Sequence, residues 1–519
     1  MQMRVLAACK PEKVFYYFEE ICKIPHGSGN VEGISNYLAD FAKTHQLSYI
    51  QDEWKNIIIF KKASPGYEEE PTVILQGHMD MVAVKKPDCD IDMRTEGLRL
   101  AVDGDKVYAE GTSLGGDDGI AVAYALALLD DESLRHPALE IIITVDEEVG
   151  MDGARAIDLS GLKGHRMINL DSEEEGIFLT SCAGGARVDC HMPVHMTEME
   201  GIAYEVEVDG LQGGHSGAEI HKGRANANCV MARLLNHLKE HCRIGITGLD
   251  GGLADNAIPR QTKAVLVVPK AEDAAFAEIL DAMTDRIAAE LAVRDPEFKV
   301  HACETGKGSF VCLSAEDTAK CVQWLYGLPN GVQAMSVTMP GLVETSLNLG
   351  ILQLKKETAK AAKQGGACSC RTENEETSAV CDNGTLSTEI IAQFSVRSSV
   401  ETAKQALIEK LKALTALAGG YCEVRGDYPG WEYRVESPLR DKMVAVYREL
   451  YGKEPAIEAI HAGLECGLLG SKIDNLDCIS MGPDMKNIHT TEESLSIASV
   501  ERVWEYLVKV LERKDSVEK

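Results

Sequence analysis

Two spacings of apolar residues alternate along the first third of the chain. Segments 71–77, 139–145 and 167–170 are short runs rich in Val, Ile and Leu, which indicate buried strands. Segment 120–129 reads Ile-Ala-Val-Ala-Tyr-Ala-Leu-Ala-Leu-Leu and has the pattern of a helix. From residue 11 to about residue 183 the pattern predicts two helices followed by alternating strands and helices, as in an α/β sheet layered by helices.

The pattern of apolar positions changes after residue 183. Strands and amphipathic helices then follow in two passes, at 204–208, 226–240 and 261–269 and again at 346–354, 389–396 and 402–417. The repetition predicts two open α+β units side by side in an inserted domain. The predicted domains are a first part, an insertion and a second part of the main domain, at 1–183, 184–427 and 428–519.

Residues 355–386 are rich in Lys, Glu, Ser and Gly and have no apolar period, which predicts a largely disordered hairpin insertion. Its Cys368, Cys370 and Cys381 could act as soft ligands of a metal ion, but they lack CxxC spacing and we interpret them as incidental. The other cysteines of the sixteen are scattered, often singly in apolar runs, as buried thiols are. This usage predicts a reducing compartment.

A chain of 519 residues is too long for one compact core, so two or more domains are expected. Its 53 Lys and Arg against 82 Asp and Glu give a net charge of −29, which argues against nucleic acid and anionic membranes as partners. No apolar stretch approaches the length of a membrane span, and the first ten residues are too short for a signal peptide. We therefore expect a cytoplasmic protein.

The predicted strands of the main domain end in acids or histidine. His78-Met-Asp80, Asp146-Glu147-Glu148 and Asp171 each follow an apolar run, and His489 follows a later strand and loop. In α/β sheets, sites gather where strands end at their carboxyl edge. The pattern therefore predicts a site to which all these segments contribute.

Each motif also has a structural interpretation. His78 and Asp80 can touch, either as a metal-bound imidazole oriented by a carboxylate or as a surface pair. Asp117 and Asp118 precede a helix and could cap it, although the two glycines before them also allow close approach to a ligand. The acids at 146–148 could be a solvated turn, but like charges gathered at a strand's end favour a divalent cation. Because successive side chains of an extended segment point in opposite directions, one Glu would point to the metal and its neighbour would lie beside the bound water as general base.

Together these motifs supply two imidazoles, three carboxylates of the kind that bind metals, and a spare glutamate. This inventory suits two zinc ions that share one carboxylate and one water. Two dications bring about +4, the carboxylates about −3 and a bridging hydroxide about −1, so the cluster is near neutral.

At this level of detail the chain resembles the dinuclear zinc peptidases, a family that includes carboxypeptidases, aminoacylases and dipeptidases. Three sequence motifs are similar to those of its cytosolic aminoacyl-histidine dipeptidase group. They are Thr112-Ser-Leu-Gly-Gly-Asp117, Asn169-Leu-Asp171-Ser-Glu-Glu-Glu and His461-Ala-Gly-Leu-Glu-Cys-Gly. The similarity extends from Pro25-His-Gly-Ser-Gly-Asn to His489. It implies a three-layer α/β/α catalytic domain with an inserted α+β lid and dimerisation domain of two ferredoxin-like units.

The resemblance also implies roles for individual residues. Two metal ions, most often zinc with manganese or cobalt as alternatives, would share Asp117; one would also bind His78 and Asp171, the other Glu148 and His489. Glu147 would be the general base, Asp80 would support His78, and the peptide bond after Asp117 is expected to be cis.

Outside the metal ligands, the resemblance makes His215 a lid histidine that polarises the scissile carbonyl, contributed by the partner subunit of a homodimer. Asn256, Arg397 and Gly463 would hold the substrate's C-terminal carboxylate, for which an Arg fork is apt. His461 and Glu465, four residues apart at a predicted helix start, are expected to pair on one face and shape the pocket.

The implied function is hydrolysis of dipeptides, including Xaa-His and β-alanyl-histidine, by a metal-bridging hydroxide. N-acyl amino-acid deacylation on the same metals is the alternative. The acids around Asp171 favour the dipeptidase, because they would accept a free α-ammonium group. A non-catalytic metal-binding homologue is disfavoured because Glu147 is present.

Overall fold

The computed structural model describes residues 4–356 and 388–515. The chain forms two compact units, Met1–Ala183 together with Tyr428–Lys519 (unit 1) and Gly184–Asp427 (unit 2). The first segment of unit 1 contains, in chain order, α1 (Glu12–Ile21), α2 (Glu32–Thr44), β1 (Ser48–Gln51), β2 (Ile57–Lys61), β3 (Val73–His78), β4 (Leu100–Asp103), β5 (Lys106–Ala109), α3 (Gly116–Leu129), β6 (Leu139–Thr144), α4 (Asp152–Ala156), β7 (Arg166–Asn169) and β8 (Ile177–Cys182).

Unit 2 contains β9 (Gly184–Val194), β10 (Met196–Asp209), β11 (Gly214–His215), α5 (Ala227–His241), β12 (Gly245–Gly251), β13 (Ala257–Ile258), β14 (Thr262–Val268), α6 (Asp273–Leu291), β15 (Lys299–Leu313), α7 (Ala315–Gly327), β16 (Gly331–Met335), β17 (Val343–Lys356), β18 (Thr388–Ser398), α8 (Glu401–Leu417) and β19 (Tyr421–Tyr428). The second segment of unit 1 contains α9 (Pro438–Tyr451), β20 (Ala456–Ile460), α10 (Glu465–Gly470), β21 (Asp477–Ser480), β22 (Met485–Lys486), β23 (Ser494–Ser496) and α11 (Ile497–Glu512).

Unit 1 is built on an eight-stranded sheet with the order β1-β2-β6-β3-β7-β21-β8-β20. Its central strands β6, β3, β7 and β21 are parallel, so their carboxyl ends lie at one edge. Successive side chains of a strand face opposite sides. Leu75 and Ile141 accordingly pack into the core with α1, α3 and α11, whereas Ile74 and Ile142 pack into the core with α4 and α10. Burial on both faces explains the short, nearly continuous apolar runs in the sequence.

Unit 2 contains a nine-stranded sheet with the order β15-β10-β14-β12-β17-β18-β9-β19, with β16 paired to β17 alone. The two passes of the sequence pattern thus form two halves of one continuous sheet. Helices α5, α6, α7 and α8 and the apolar side chains of both halves form one core. The expected fold class, α/β/α layers with an inserted α+β domain, is confirmed.

The predicted disordered insertion falls almost entirely outside the described residues, as do its three cysteines. Its first two residues, Lys355 and Lys356, differ from the prediction because they continue β17 and pair with β18. Most of the other cysteines are buried free thiols. Within the described ranges, no helix is both long and apolar enough to cross a membrane.

Candidate metal and substrate site

The strand ends of unit 1 bring the predicted metal ligands together. His78 is the last residue of β3, Glu147 and Glu148 follow β6, and Asp171 follows β7. Because β6, β3 and β7 are parallel neighbours, these side chains reach the same edge of the sheet. His489 arrives from the loop after β22.

Asp117 lies between the two histidines. Its Oδ1 is 3.2 Å from Nε2 of His78 and its Oδ2 is 3.1 Å from Nε2 of His489. The residue is 8 % exposed, and the peptide bond to Asp118 is cis, as expected. One carboxylate therefore offers an oxygen to each of two neighbouring groups of ligands, which is the arrangement expected of a bridging ligand.

Three groups of ligand atoms at this site could each hold a metal ion, since the atoms of each group lie within 4.8 Å of one another. Asp117, Glu148 and His489 form one group, as predicted. A second contains His78, Asp171 and Asp118, and a third contains His78, Glu147 and Glu148. Asp118 was not predicted as a ligand, and its Oδ2 accepts a hydrogen bond from the backbone N–H of His78 (3.2 Å).

The donor atoms fit divalent cations. Burial raises the pKa of Asp171 to about 6 and holds the pKa of Asp118 well above its usual range. Hydrogen bonds to Asp117 and then Glu148 raise the pKa of His489 to about 10. In addition, Oδ1 of Asp118 is buried without a hydrogen-bond partner among the described residues. The cluster thus concentrates acidic groups, whose negative charge bound divalent cations would balance.

Asp80 organises the loop that carries Glu147. Its Oδ1 accepts the backbone N–H of Glu147 (3.1 Å), and its Oδ2 accepts the hydroxyl of Ser28 (2.8 Å). The ring Nδ1 of His78 lies 3.0 Å from the carbonyl oxygen of Asp80 and 3.5 Å from its Oδ1. The structure thus places Asp80 beside His78, with the closer contact to its backbone oxygen. Either contact fixes the ring orientation.

Glu147 has the environment of a proton acceptor in a low-dielectric site. Burial, and then the negative charges of Asp171, Glu465 and Glu148, hold the pKa of its carboxyl well above the usual range. A carboxylate with a raised pKa is a stronger base than an exposed glutamate.

Glu493 holds the loop that carries Asp117, a contact the sequence analysis missed. Its carboxylate accepts four backbone N–H groups, those of Leu114 (2.7 Å), Gly115 (3.1 Å), Gly116 (2.8 Å) and Asp117 (3.4 Å). One indication in the sequence that Glu493 belongs to the site was its position four residues after His489. Nothing in the sequence relates it to a loop more than 370 residues away.

We expect Glu493→Gln to weaken metal binding by about 10-fold to 100-fold, as loss of a group that orients ligands commonly does. The amide nitrogen of Gln cannot accept the N–H groups that one oxygen of Glu493 accepts, so the Asp117 loop would lose part of its support. A chelator titration followed by metal analysis measures the change. Glu492→Gln is the matched control, since Glu492 is exposed and pairs with Lys86. Equal resistance of both variants to the chelator would contradict this role.

Glu465 and His461 differ from the expectation. Helix α10 begins at Glu465, so His461 precedes the helix and the two cannot pair on one helical face. Glu465 is instead fully buried beneath the site, where its Oε2 accepts hydrogen bonds from Gln76 (2.6 Å) and Thr144 (2.6 Å). Burial raises the pKa of Glu465 to about 8.

In unit 2, His215 has a defined tautomer. Its Nδ1 accepts the backbone N–H groups of Gly217 (3.2 Å) and Ala218 (3.0 Å), so the neutral ring carries its proton on Nε2. Burial, and then the charge of Arg397, lowers the pKa of the ring. The neutral ring therefore offers one N–H donor, which suits a carbonyl oxygen.

Arg397 and Asn256 lie in the same part of unit 2 as His215. The positive charge of Arg397 contributes to the lowered pKa of His215. The Nε atom of Arg397 is buried without a hydrogen-bond partner among the residues described. Asn256 is exposed beside the short β11–β13 pair, and its carbonyl accepts the N–H of Ser216 (2.8 Å). The three side chains thus combine a cation and donors suited to an anion.

Gly463 belongs to unit 1, where the lack of a side chain allows Tyr428 to pack closely against its backbone. A Cβ atom on Gly463 would lie 2.8 Å from Cε2 and from the hydroxyl oxygen of Tyr428. The structure accounts for the glycine by this packing, and its predicted contact with substrate stays a prediction.

Residues 74–513 match Peptidase family M20/M25/M40. The chain is 33% identical over 514 residues to the cytosol non-specific dipeptidase of Escherichia coli K12, covering 98% of this chain and 99% of that protein. The structure of an aminoacylhistidine dipeptidase from Vibrio alginolyticus is also similar, with 31% identity, a TM-score of 0.87 and coverage of 98% and 99%. The aminopeptidase PepT structure from Bacillus cereus, at 13% identity, a TM-score of 0.52 and coverage of 97% and 98%, shares the fold.

A site of clustered carboxylates and imidazoles on this fold defines a peptide-bond hydrolase. The chain belongs to Peptidase family M20/M25/M40.

Proposed function

We propose that this protein is a dinuclear metallo-dipeptidase. The position of Asp117 carries the proposal, because its two carboxylate oxygens lie 3.2 Å and 3.1 Å from the imidazoles of His78 and His489. A carboxylate that presents one oxygen toward each imidazole is placed to bridge two metal ions. The E. coli and Vibrio relatives, both named dipeptidases, support the reaction class.

The proposed ligands are His78, Asp117 and Asp171 for one ion and Asp117, Glu148 and His489 for the other. Bound divalent ions would supply positive charge for the scissile carbonyl and lower the pKa of a water molecule. Zinc suits the mixture of imidazole and carboxylate donors, and manganese and cobalt accept the same donors.

Residues of the chain would move the proton and orient the substrate. Glu147 accepts the proton of the attacking water and returns it to the leaving amine. His215 donates its Nε2–H to the carbonyl oxygen, where negative charge develops in the transition state. Arg397, with Asn256 and Gly463, holds the C-terminal carboxylate.

The acids after β7 favour a dipeptide over an N-acyl amino acid. Asp171 is followed by Ser172 and then Glu173, and burial raises the pKa of Glu173 to about 7. A free α-ammonium group placed here would gain from the negative charge, whereas an acyl chain would not. The name of the Vibrio relative supports Xaa-His dipeptides, including β-alanyl-histidine, among the substrates.

We further infer that the protein acts as a homodimer formed through unit 2, so that His215 serves the partner subunit's site. The net charge of −29 disfavours nucleic acid and anionic membranes as partners. The name of the E. coli relative and the buried free thiols support a cytosolic location.

A substrate panel tests the proposal. Zinc-, manganese- and cobalt-loaded protein is assayed with Xaa-His dipeptides, β-alanyl-histidine, a tripeptide and N-acetyl amino acids. We expect hydrolysis of dipeptides alone. Activity on N-acetyl amino acids alone would establish the deacylase instead, and no hydrolysis of either by the metal-loaded protein would overturn both.

Arg397→Lys is expected to raise KM for dipeptides by about 10-fold or more, because Lys keeps the charge but cannot make the two-pronged contact with a carboxylate. Dipeptide amides should be poor substrates of the wild type and lose little further in the variant. Steady-state kinetics on matched acids and amides measures both effects. If the wild type cleaves amides and free acids equally well, Arg397 does not recognise the carboxylate.

A further inference from the structure

Two cysteine thiols meet between the strands that begin and end unit 2. Cys190 lies on β9 and Cys422 on β19, which are neighbours in the nine-stranded sheet. Their Sγ atoms are 3.2 Å apart. A disulfide bond needs about 2.05 Å, so small rotations of the two side chains would bring the sulfurs to bonding distance.

The two thiols differ in accessibility and acidity. Cys190 is fully buried, whereas Cys422 is partly exposed at the edge strand β19. The hydrogen bond with Cys190, and then the hydroxyl of Thr415 and the charge of Lys412, lower the pKa of Cys422 to about 7 against the effect of burial. The contact with Cys422 and burial raise the pKa of Cys190.

This asymmetry gives the thiols separate chemical roles. Near neutral pH a substantial part of Cys422 is thiolate, which is the nucleophilic form, and solvent reaches it. Cys190 stays protonated and shielded from reagents in solution. It can therefore react only with a group already attached to its neighbour.

We propose that Cys190 and Cys422 form a modification site at which a low-molecular-weight disulfide produces a reversible intramolecular disulfide bond. The Cys422 thiolate attacks one sulfur of the small disulfide and releases the first small thiolate. Cys190 then loses its proton and attacks Sγ of Cys422, releasing the second. The two protein thiols are oxidised, one small disulfide is reduced to two thiols, and these take up the two protein protons.

The bond would join the strand by which the chain enters unit 2 to the strand by which it leaves. It would close a loop between residues 232 positions apart, which restricts the unfolded chain. Oxidation is therefore expected to raise the Tm of the wild type by about 5 °C.

The test uses reduced, metal-loaded, full-length protein treated with oxidised glutathione and analysed by peptide mapping. We expect a peptide linking Cys190 to Cys422, which dithiothreitol removes. Cys190→Ser should accumulate glutathione on Cys422, whereas Cys422→Ser should leave Cys190 unmodified. Cys190→Ala serves as a second variant if a buried hydroxyl impairs folding. Cys303→Ser is the matched control, because Cys303 is an exposed thiol of unit 2 and its loss should leave the linked peptide unchanged.

The outcome distinguishes this site from general thiol reactivity. Glutathione that remains on Cys422 of the wild type as stably as in Cys190→Ser would overturn the proposal, because the second step would not occur. Modification of Cys190 in Cys422→Ser would overturn the assignment of the attacking thiol. An unchanged Tm after complete formation of the linked peptide would contradict the proposed stabilisation.

Discussion

Glu147→Gln is expected to lower kcat by about 10³-fold while both metal ions remain bound. Gln has nearly the same shape, and its backbone N–H can still donate to Asp80, but its side chain cannot accept the proton of the attacking water. Kinetics and metal analysis on the same preparation measure the two quantities together.

The structure makes this experiment decisive. An oxygen of Glu147 lies within 4.8 Å of ligand atoms of His78 and Glu148, so the residue is close enough to be a ligand itself. Glu148→Gln is the matched comparison and should lose metal as well as activity. If Glu147→Gln also loses metal, Glu147 binds an ion and the base must be sought elsewhere.

Mixing two inactive variants is expected to restore activity. His215→Ala and Glu147→Ala should each be nearly inactive, since each lacks a group proposed to act on the reacting atoms. In a mixed dimer, one site combines its own Glu147 with the partner subunit's His215. At random exchange of equal amounts, about half the dimers are mixed and each has one intact site of two, so activity should approach about a quarter of wild type per subunit.

The experiment requires independent evidence of subunit exchange, for example native mass spectrometry of differently tagged chains. Failure to recover activity despite exchange would show that His215 acts within its own chain or only structurally. A protein that remains monomeric would contradict the inferred dimer. Neither result would affect the assignment of the metal ligands.

The sequence pattern predicted the strands of unit 1 because burial on both faces leaves little freedom in residue choice. The runs before His78, Asp146 and Asp171 correspond to β3, β6 and β7. Strand β3 ends on His78 itself, whereas β6 and β7 end two residues before Asp146 and Asp171. Parallel pairing then requires those ends to meet at one edge. The gathering of His78, Asp171 and the acids after β6 was therefore predictable, and the structure brings them together.

The contacts that support these residues were not predictable. In the sequence, nothing distinguishes Glu493 from the many other acidic residues of the chain. Its carboxylate nevertheless accepts four backbone N–H groups of a loop far away in sequence. Glu465 was expected to pair with His461 on a helix, but α10 begins only at Glu465, four residues after His461. The Glu465 side chain instead accepts hydrogen bonds from Gln76 and Thr144. Such partners depend on exact loop paths, which no local spacing specifies.

The sequence by itself determined the order of elements, the sheet whose strand ends carry acids and histidines, and the types of donor atom available for metal ions. These properties follow from periodicity and residue chemistry, which are local. Only the tertiary structure decided that one oxygen of Asp117 faces His78 and the other faces His489. It also decided that His215 is held as an Nε2–H donor and that the thiols of Cys190 and Cys422 are in contact. Each depends on contacts within a few ångströms between segments remote in sequence or on the path of a single turn, and packing of the whole chain sets those distances.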